Sequence, residues 1–265
     1  MSVTISSDER LITKTIDDFR EDYHQDYHRV RPLGMHYLAS SVVIQATVSQ
    51  LAISLRSVLQ NWGAGKRSAP ALKPYGDFVK TLSSDHIHRY LADLSGYSVH
   101  KMRVVNGQRL FVGHQSNSDL FSSFDTVLIW CLNNLAQGLF IDANTATYPT
   151  KTILLITGLM PAFDSQVRKG LHRGGFAGMS ETSFLLSRDA SSTNCKKLSR
   201  LPFLLGECWE QNNKLIRAAA RRSNHPDLEN EPGRIFDILL FMQAKNNSPI
   251  LVSYEPRGLH WYDID

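Results

Sequence analysis

Apolar residues recur at helical spacing along most of this chain and give way to strand-like patterning in one short region. Leu38, Val42, Ile44, Val48, Leu51, Leu55, Val58 and Leu59 broadly follow the 3.6-residue period and predict a long helix over about 35–60. Upstream, Ser6 and Glu9 stand at capping-box spacing and predict an acidic helix running toward His28, closed by Arg31-Pro32. Residues 61–74, NWGAGKRSAPALKP, have loop composition, and a shorter helix is expected over 75–94. The period then changes. Asn106-Gly107, flanked by short β-favouring segments, predicts a hairpin within 98–114. Ser118 or Asp119 caps a further helix to about Gly138, and Pro149 sits in the first turn of an apolar helix ending at Gly158. Asp164 opens another helix to Arg173; helices over about 201–222 and 234–245 and a short strand at 250–254 complete the pattern. The expectation is a mainly α fold with one inserted β-hairpin.

Composition narrows this picture without redirecting it. The chain has 265 residues, 42% of them hydrophobic and 20% charged, the balance of an ordinary globular protein. The longest apolar stretch, 35–59, is interrupted by His36, Gln45, Gln50, Arg56 and several serines, which favours a buried helix over a membrane span. The N-terminus resembles neither a signal nor a transit peptide. Cys131, Cys195 and Cys208 show no CxxC spacing, so a reduced, cytoplasmic setting is expected. A net charge of +4 is mild, and its placement matters more than its total.

The densest candidate chemistry lies in 151–173, KTILLITGLMPAFDSQVRKGLHR: one carboxylate, Asp164, at a helix mouth, followed by Arg168, Lys169 and Arg173. Aspartate is a favoured N-cap, so a purely structural role stands beside a chemical one. The run 149–171 resembles the catalytic segment of the helix-hairpin-helix superfamily of DNA glycosylases. PTKTILLITG is similar to the family's apolar helix, and PAFDSQVRKGL to the segment that delivers its essential aspartate. The resemblance implies a two-lobed helical fold (1–117 and 118–265) with DNA between the lobes, and Asp164 as catalytic residue. It implies hydrolysis of the N-glycosidic bond of a flipped base, leaving an abasic site. The chain departs from the family where a glycine-rich hairpin turn is expected, since ANTATY at 143–148 has no glycine. The lysine that bifunctional members carry ahead of that turn and the four-cysteine cluster site are absent as well. A divergent, monofunctional member without cofactor is implied. Such enzymes serve base-excision repair and, in bacteria, defence against phage with modified DNA; no residue here selects between the two.

Basic residues suggest where DNA phosphates would lie. Lys214, Arg217 and Arg221 share a predicted helix face, Lys196 and Lys197 lie upstream of them, and Lys66, Arg67 and Lys73 occupy the first loop. Lys151 is either a phosphate ligand or a solvated helix residue. Any one of these clusters is also what a solvated surface looks like. A flipped base needs an aromatic pocket, for which Phe163, Trp130, Trp209 and Trp62 are the available types. Lys101, Arg103 and Arg109 around the hairpin suit a DNA contact, or simple packing against the helices. Glu207 and Asp237 are candidate second acids without a nameable partner. His24 and His28 fall one helical turn apart near Glu21 and Asp22, but no further ligand follows at a recognisable spacing, so no metal site is expected. The alternative to an enzyme is a non-catalytic nucleic-acid-binding module using the same basic surfaces; a second is a protein-interaction domain.

Overall fold

The computed structural model describes residues 2–66, 68–113, 118–179, 184–256 and 260–264, with the side chain of Ser118 left aside. Arg67, residues 114–117 and the middle of the loop after Arg173 therefore lie outside the described residues. The fold is mainly helical, with ten α-helices and two two-stranded sheets among the described residues.

Strand β1 (Ser2–Ile5) pairs antiparallel with β4 (Val252–Glu255), Val3 opposite Tyr254, so the two ends of the chain meet. The acidic region predicted as one helix is two. Helix α1 (Glu9–Asp17) is capped by Asp8, whose carboxylate accepts from the Arg10 and Leu11 amides, and Ser6 instead accepts from the Asp8 amide. Glu9 is drawn away to Arg222, 2.6 Å off. After a break at residues 18–20, α2 (Glu21–Ala39) runs straight through Pro32. The Arg31 side chain, paired with Glu231, donates to the Ile156 carbonyl at 2.7 Å, which anchors this stretch of α2 to a neighbouring helix. Helix α3 (Gln45–Asn61) consequently starts later than its apolar pattern suggested, after the β-branched run 42–44.

Helices α4 (Tyr75–Leu82) and α5 (Asp85–Gly96) divide at Ser83-Ser84 what the sequence suggested was one helix. A 3-10 turn (Val99–Lys101) leads into β2 (Met102–Val105) and β3 (Gln108–Phe111), joined through Asn106 and Gly107 at φ 52° and 80°, the turn that this dipeptide predicts. The hairpin packs on a later helix and does not project as a wedge. Asp125 receives hydrogen bonds of 2.6 Å from both Arg109 of β3 and Arg200, with all three residues buried. Arg103 is likewise bound to Glu210 at 2.6 Å.

Helix α6 (Ser118–Leu139) is followed by a short connection and then α7 (Thr147–Thr157), whose last ten residues are all buried. Helix α8 (Ser165–Arg173) packs on α10 (Pro232–Gln243). Between them comes the long α9 (Thr193–Arg222), capped by Ser192 and continuous through Pro202, and a 3-10 turn, Pro226–Asn230. Buried Gln243 binds α10 to α8 and β4: it donates to the Gly170 and Val252 carbonyls and accepts from the Leu251 and Val252 amides.

One hydrophobic cluster extends from Val3 to Ile264. Helix α1 lies against α9 and α10, α2 against α7, and β2 against α9. The segments 1–117 and 118–265 therefore share a common core. Among the described residues no helix is long and apolar enough to cross a membrane.

Candidate active site

Asp164 is held at the mouth of α8 by its own helix. Its Oδ1 accepts from the Gln166 amide at 3.0 Å and the Val167 amide at 2.9 Å, the N-cap geometry that residue type and position predict. Its other oxygen, Oδ2, faces the Lys151 ammonium at 3.6 Å. The Asp164 side chain is 16% exposed and that of Lys151 9%, so this pair stands at the edge of the core. Lys151 reaches it from α7 and also donates to the Trp62 carbonyl at 3.1 Å. Its ammonium lies 4.9 Å from the Tyr148 ring centre and 5.9 Å from that of Trp62.

The rim is aromatic. Tyr23 of α2 lies against Trp62 with ring centres 5.3 Å apart. The Tyr148 phenol is pushed up to about 12, first by burial and then by the negative charge of Asp164. Tyr23 is raised by burial, with Asp164 adding to the shift and Arg20 opposing it. The buried indole N–H of Trp62 has no acceptor among the described residues.

Behind the carboxylate, Asp237 fixes the loop that carries it. Its Oδ1 accepts from the Ala162 amide at 2.9 Å, two residues ahead of Asp164, and its Oδ2 receives Arg234 at 2.7 Å. Phe163, fully buried against Phe184, holds the loop from below. Thr150 supports it too, accepting from the Phe163 amide at 2.9 Å. The loop is thus set by packing and by hydrogen bonds from α7 and α10, before any ligand is considered.

Of the residues singled out in the sequence, Asp164, Lys151 and Trp62 come together, with Phe163 beneath them. Several others have different places. Lys151 is buried in an ion pair, neither a solvated residue nor an exposed phosphate ligand. Arg168 is 3% exposed, over the Phe184 ring, and burial lowers its pKa against the opposing pull of Asp164. It is a buried cation beside the carboxylate, not a surface phosphate contact. Arg173 donates to the carbonyls of Gln243, Lys245 and Ser248, closing the C-terminal end of α10. Lys197 is buried, donating to the Gly178 carbonyl at 2.6 Å beneath Tyr262. Arg221 pairs with Glu229, and Arg217 lies over the Trp209 ring. Lys214 is exposed, while Lys196 and Lys169 are half-buried. Trp209 is buried against His100, and Trp130, 53% exposed, lines a separate surface hollow with Asn133, Asn134, Gln137 and Arg188. Glu207, raised by burial, is hydrogen-bonded to Gln211 along α9.

Sequence reasoning missed Tyr23, Tyr148 and the positioning role of Asp237, because each reaches Asp164 from a different element. It also missed His225, which the fold stacks on His24 with ring centres 3.6 Å apart. No known protein-family model matches the chain, and neither a curated protein nor a solved structure is detectably similar to it.

Proposed function

We propose that the protein is a monofunctional DNA glycosylase in which Asp164 acts on the N-glycosidic bond of a flipped base. The observation that carries this reading is the carboxylate itself: rigidly capped, ion-paired to Lys151, and bordered by Tyr23, Tyr148 and Trp62. Cleavage of an N-glycosidic bond develops positive charge on the sugar, and a carboxylate placed near C1′ stabilises that charge or activates the attacking water. A carboxylate fixed by two backbone amides needs no reorientation when the charge develops. Aromatic side chains beside the carboxylate suit an extruded base. The order of elements around Asp164 also supports the reading. An apolar helix, a short loop and a carboxylate-capped helix follow one another as the helix-hairpin-helix resemblance implies. The buried, unpaired thiols of Cys131, Cys195 and Cys208 fit action in a reducing compartment such as the cytoplasm.

The test is base release from duplex and single-stranded DNA carrying uracil, oxidised, alkylated, hydroxymethylated or glucosylated bases, with alkali cleavage to reveal abasic sites. Asp164→Asn runs beside the wild type; asparagine is as good an N-cap as aspartate, so α8 is retained. Release by the wild type with a loss of at least about 100-fold in the variant, the scale of general acid–base and electrostatic contributions, is the expected outcome. Equal release by both removes Asp164 from the chemistry. Salt-sensitive DNA binding without release from any substrate leaves a nucleic-acid-binding module.

A further inference from the structure

Away from Asp164, the fold assembles three histidines that the sequence keeps far apart. His24 and His28 stand one turn apart on α2, and His225 lies in the turn between α9 and the 3-10 segment Pro226–Asn230. One ring nitrogen from each lies within 4.8 Å of the other two. His24 is 1% exposed, and its Nε2 lies 3.1 Å from the Ile16 carbonyl. A carbonyl only accepts, so Nε2 carries the proton and the lone pair is on Nδ1. That Nδ1 is buried and has no hydrogen-bond partner. A buried acceptor left without a partner costs roughly as much as a lost hydrogen bond, so its retention calls for an explanation.

The surroundings repeat the arrangement that holds imidazole ligands in metal centres. Each ring meets an oxygen acceptor: Ile16 O for His24, the Asp227 carboxylate 2.9 Å from His28 Nδ1, and the Glu21 carboxylate 3.4 Å from His225 Nε2. Metal-binding histidines characteristically give their second N–H to such a group, which fixes the tautomer and makes the ligand more basic. The His225 amide donates to Ser223 Oγ at 3.1 Å, so the turn that presents this ring is itself braced. The nearby Arg234 guanidinium is already bound to Asp237.

We propose that His24, His28 and His225 bind one divalent transition-metal ion of the zinc class, which clasps α2 to the turn after α9. Three imidazoles suit zinc, and the half-exposed side of His28 leaves the fourth position to water. The ion joins segments near the two ends of the chain, where it closes a long loop of the unfolded polypeptide. This site does not depend on the glycosylase reading.

The experiment uses the full chain without an affinity tag, stripped with chelator and dialysed. Zinc chloride is titrated calorimetrically, bound metal is counted by elemental analysis, and cobalt(II) chloride is added separately for its visible ligand-field absorption. The expected result is one metal per chain, intense four-coordinate cobalt absorption, and a Tm that rises with zinc. His28→Ala, at a half-exposed position, is expected to weaken zinc binding by at least about tenfold while leaving the Tm of the metal-free chain nearly unchanged. His225→Asn is the second variant, and His86→Ala, on exposed α5 surface, is the control. Absence of stoichiometric binding at micromolar zinc overturns the proposal. So does binding that survives His28→Ala and His225→Asn undiminished, or that His86→Ala weakens equally.

Discussion

Asp237 shows how one buried side chain can hold a site in place at a cost that depends on pH. Burial pushes its carboxyl up to about 6 from an ordinary 3.8, with Arg234 pulling down and the charge of Asp164 adding to the rise. Because the folded state holds this proton more tightly than the unfolded chain, its stabilising contribution is complete below 3.8 and is lost as pH rises through about 6. Asp237→Asn keeps an acceptor for the Ala162 amide but removes the titration. Urea unfolding at pH 4 and pH 7 should therefore show the wild type losing stability relative to the variant across that interval; parallel pH profiles would contradict the assignment. Asp164 could be singled out from sequence because capping is local: the residue type, the apolar run before it and the helix after it lie within a few positions. Tyr23, Tyr148, Asp237 and His225 could not, because their partners are set by how α2, α7, α9 and α10 pack.

At the scale of elements, the same division between local and tertiary control explains what was readable. The Asn106-Gly107 hairpin, α6, α7, α8 and α10 follow from turn chemistry, caps and apolar period, and appear within a few residues of their predicted bounds. The boundary that rested on Pro32 was misplaced, and the helix expected from about 201 starts at Thr193. Pro32 and Pro202 stand inside α2 and α9, where packing along both sides of each helix outweighs the hydrogen bond a proline forfeits. Strand β1 was invisible because four residues acquire strand character only by pairing with β4. The tightest contact that sequence did not disclose is between α8 and α10. A Cβ built on Gly170 would lie 1.9 Å from the Leu240 carbonyl oxygen, a backbone atom that cannot swing aside. Gly170→Ala should therefore push α8, and Asp164 with it, away from α10. A stability loss of about 1–3 kcal/mol is expected from overpacking, with reduced base release. Thermal unfolding beside the excision assay checks this, and a variant as stable and active as wild type would mean that the helices do not approach so closely.

Across the whole molecule, charge is more evenly balanced than the sequence suggested. Helix α1 packs on α9, and Glu9 pairs with Arg222. Arg221 is engaged by Glu229, Arg103 by Glu210, and Arg109 and Arg200 by Asp125, while Lys197 and Arg173 are bound to backbone carbonyls. Cations already bound to carboxylates gain little from a phosphate, since moving one forfeits its existing partner. DNA affinity should therefore rest on a few side chains, exposed Lys214 and half-buried Lys196 among them, and not on a continuous basic surface. Each phosphate neutralised contributes about −0.9 to the slope of log K against log salt for duplex DNA. With about three or four such contacts the slope should lie near −3, and Lys214→Ala or Lys196→Ala should each make it shallower by about one. Titration of a labelled duplex at several salt concentrations measures both quantities. A slope of about −6 or steeper would show that the ion pairs open on DNA and their arginines turn to phosphate. A slope near zero would remove the electrostatic basis of the DNA-binding reading, whatever Asp164 does.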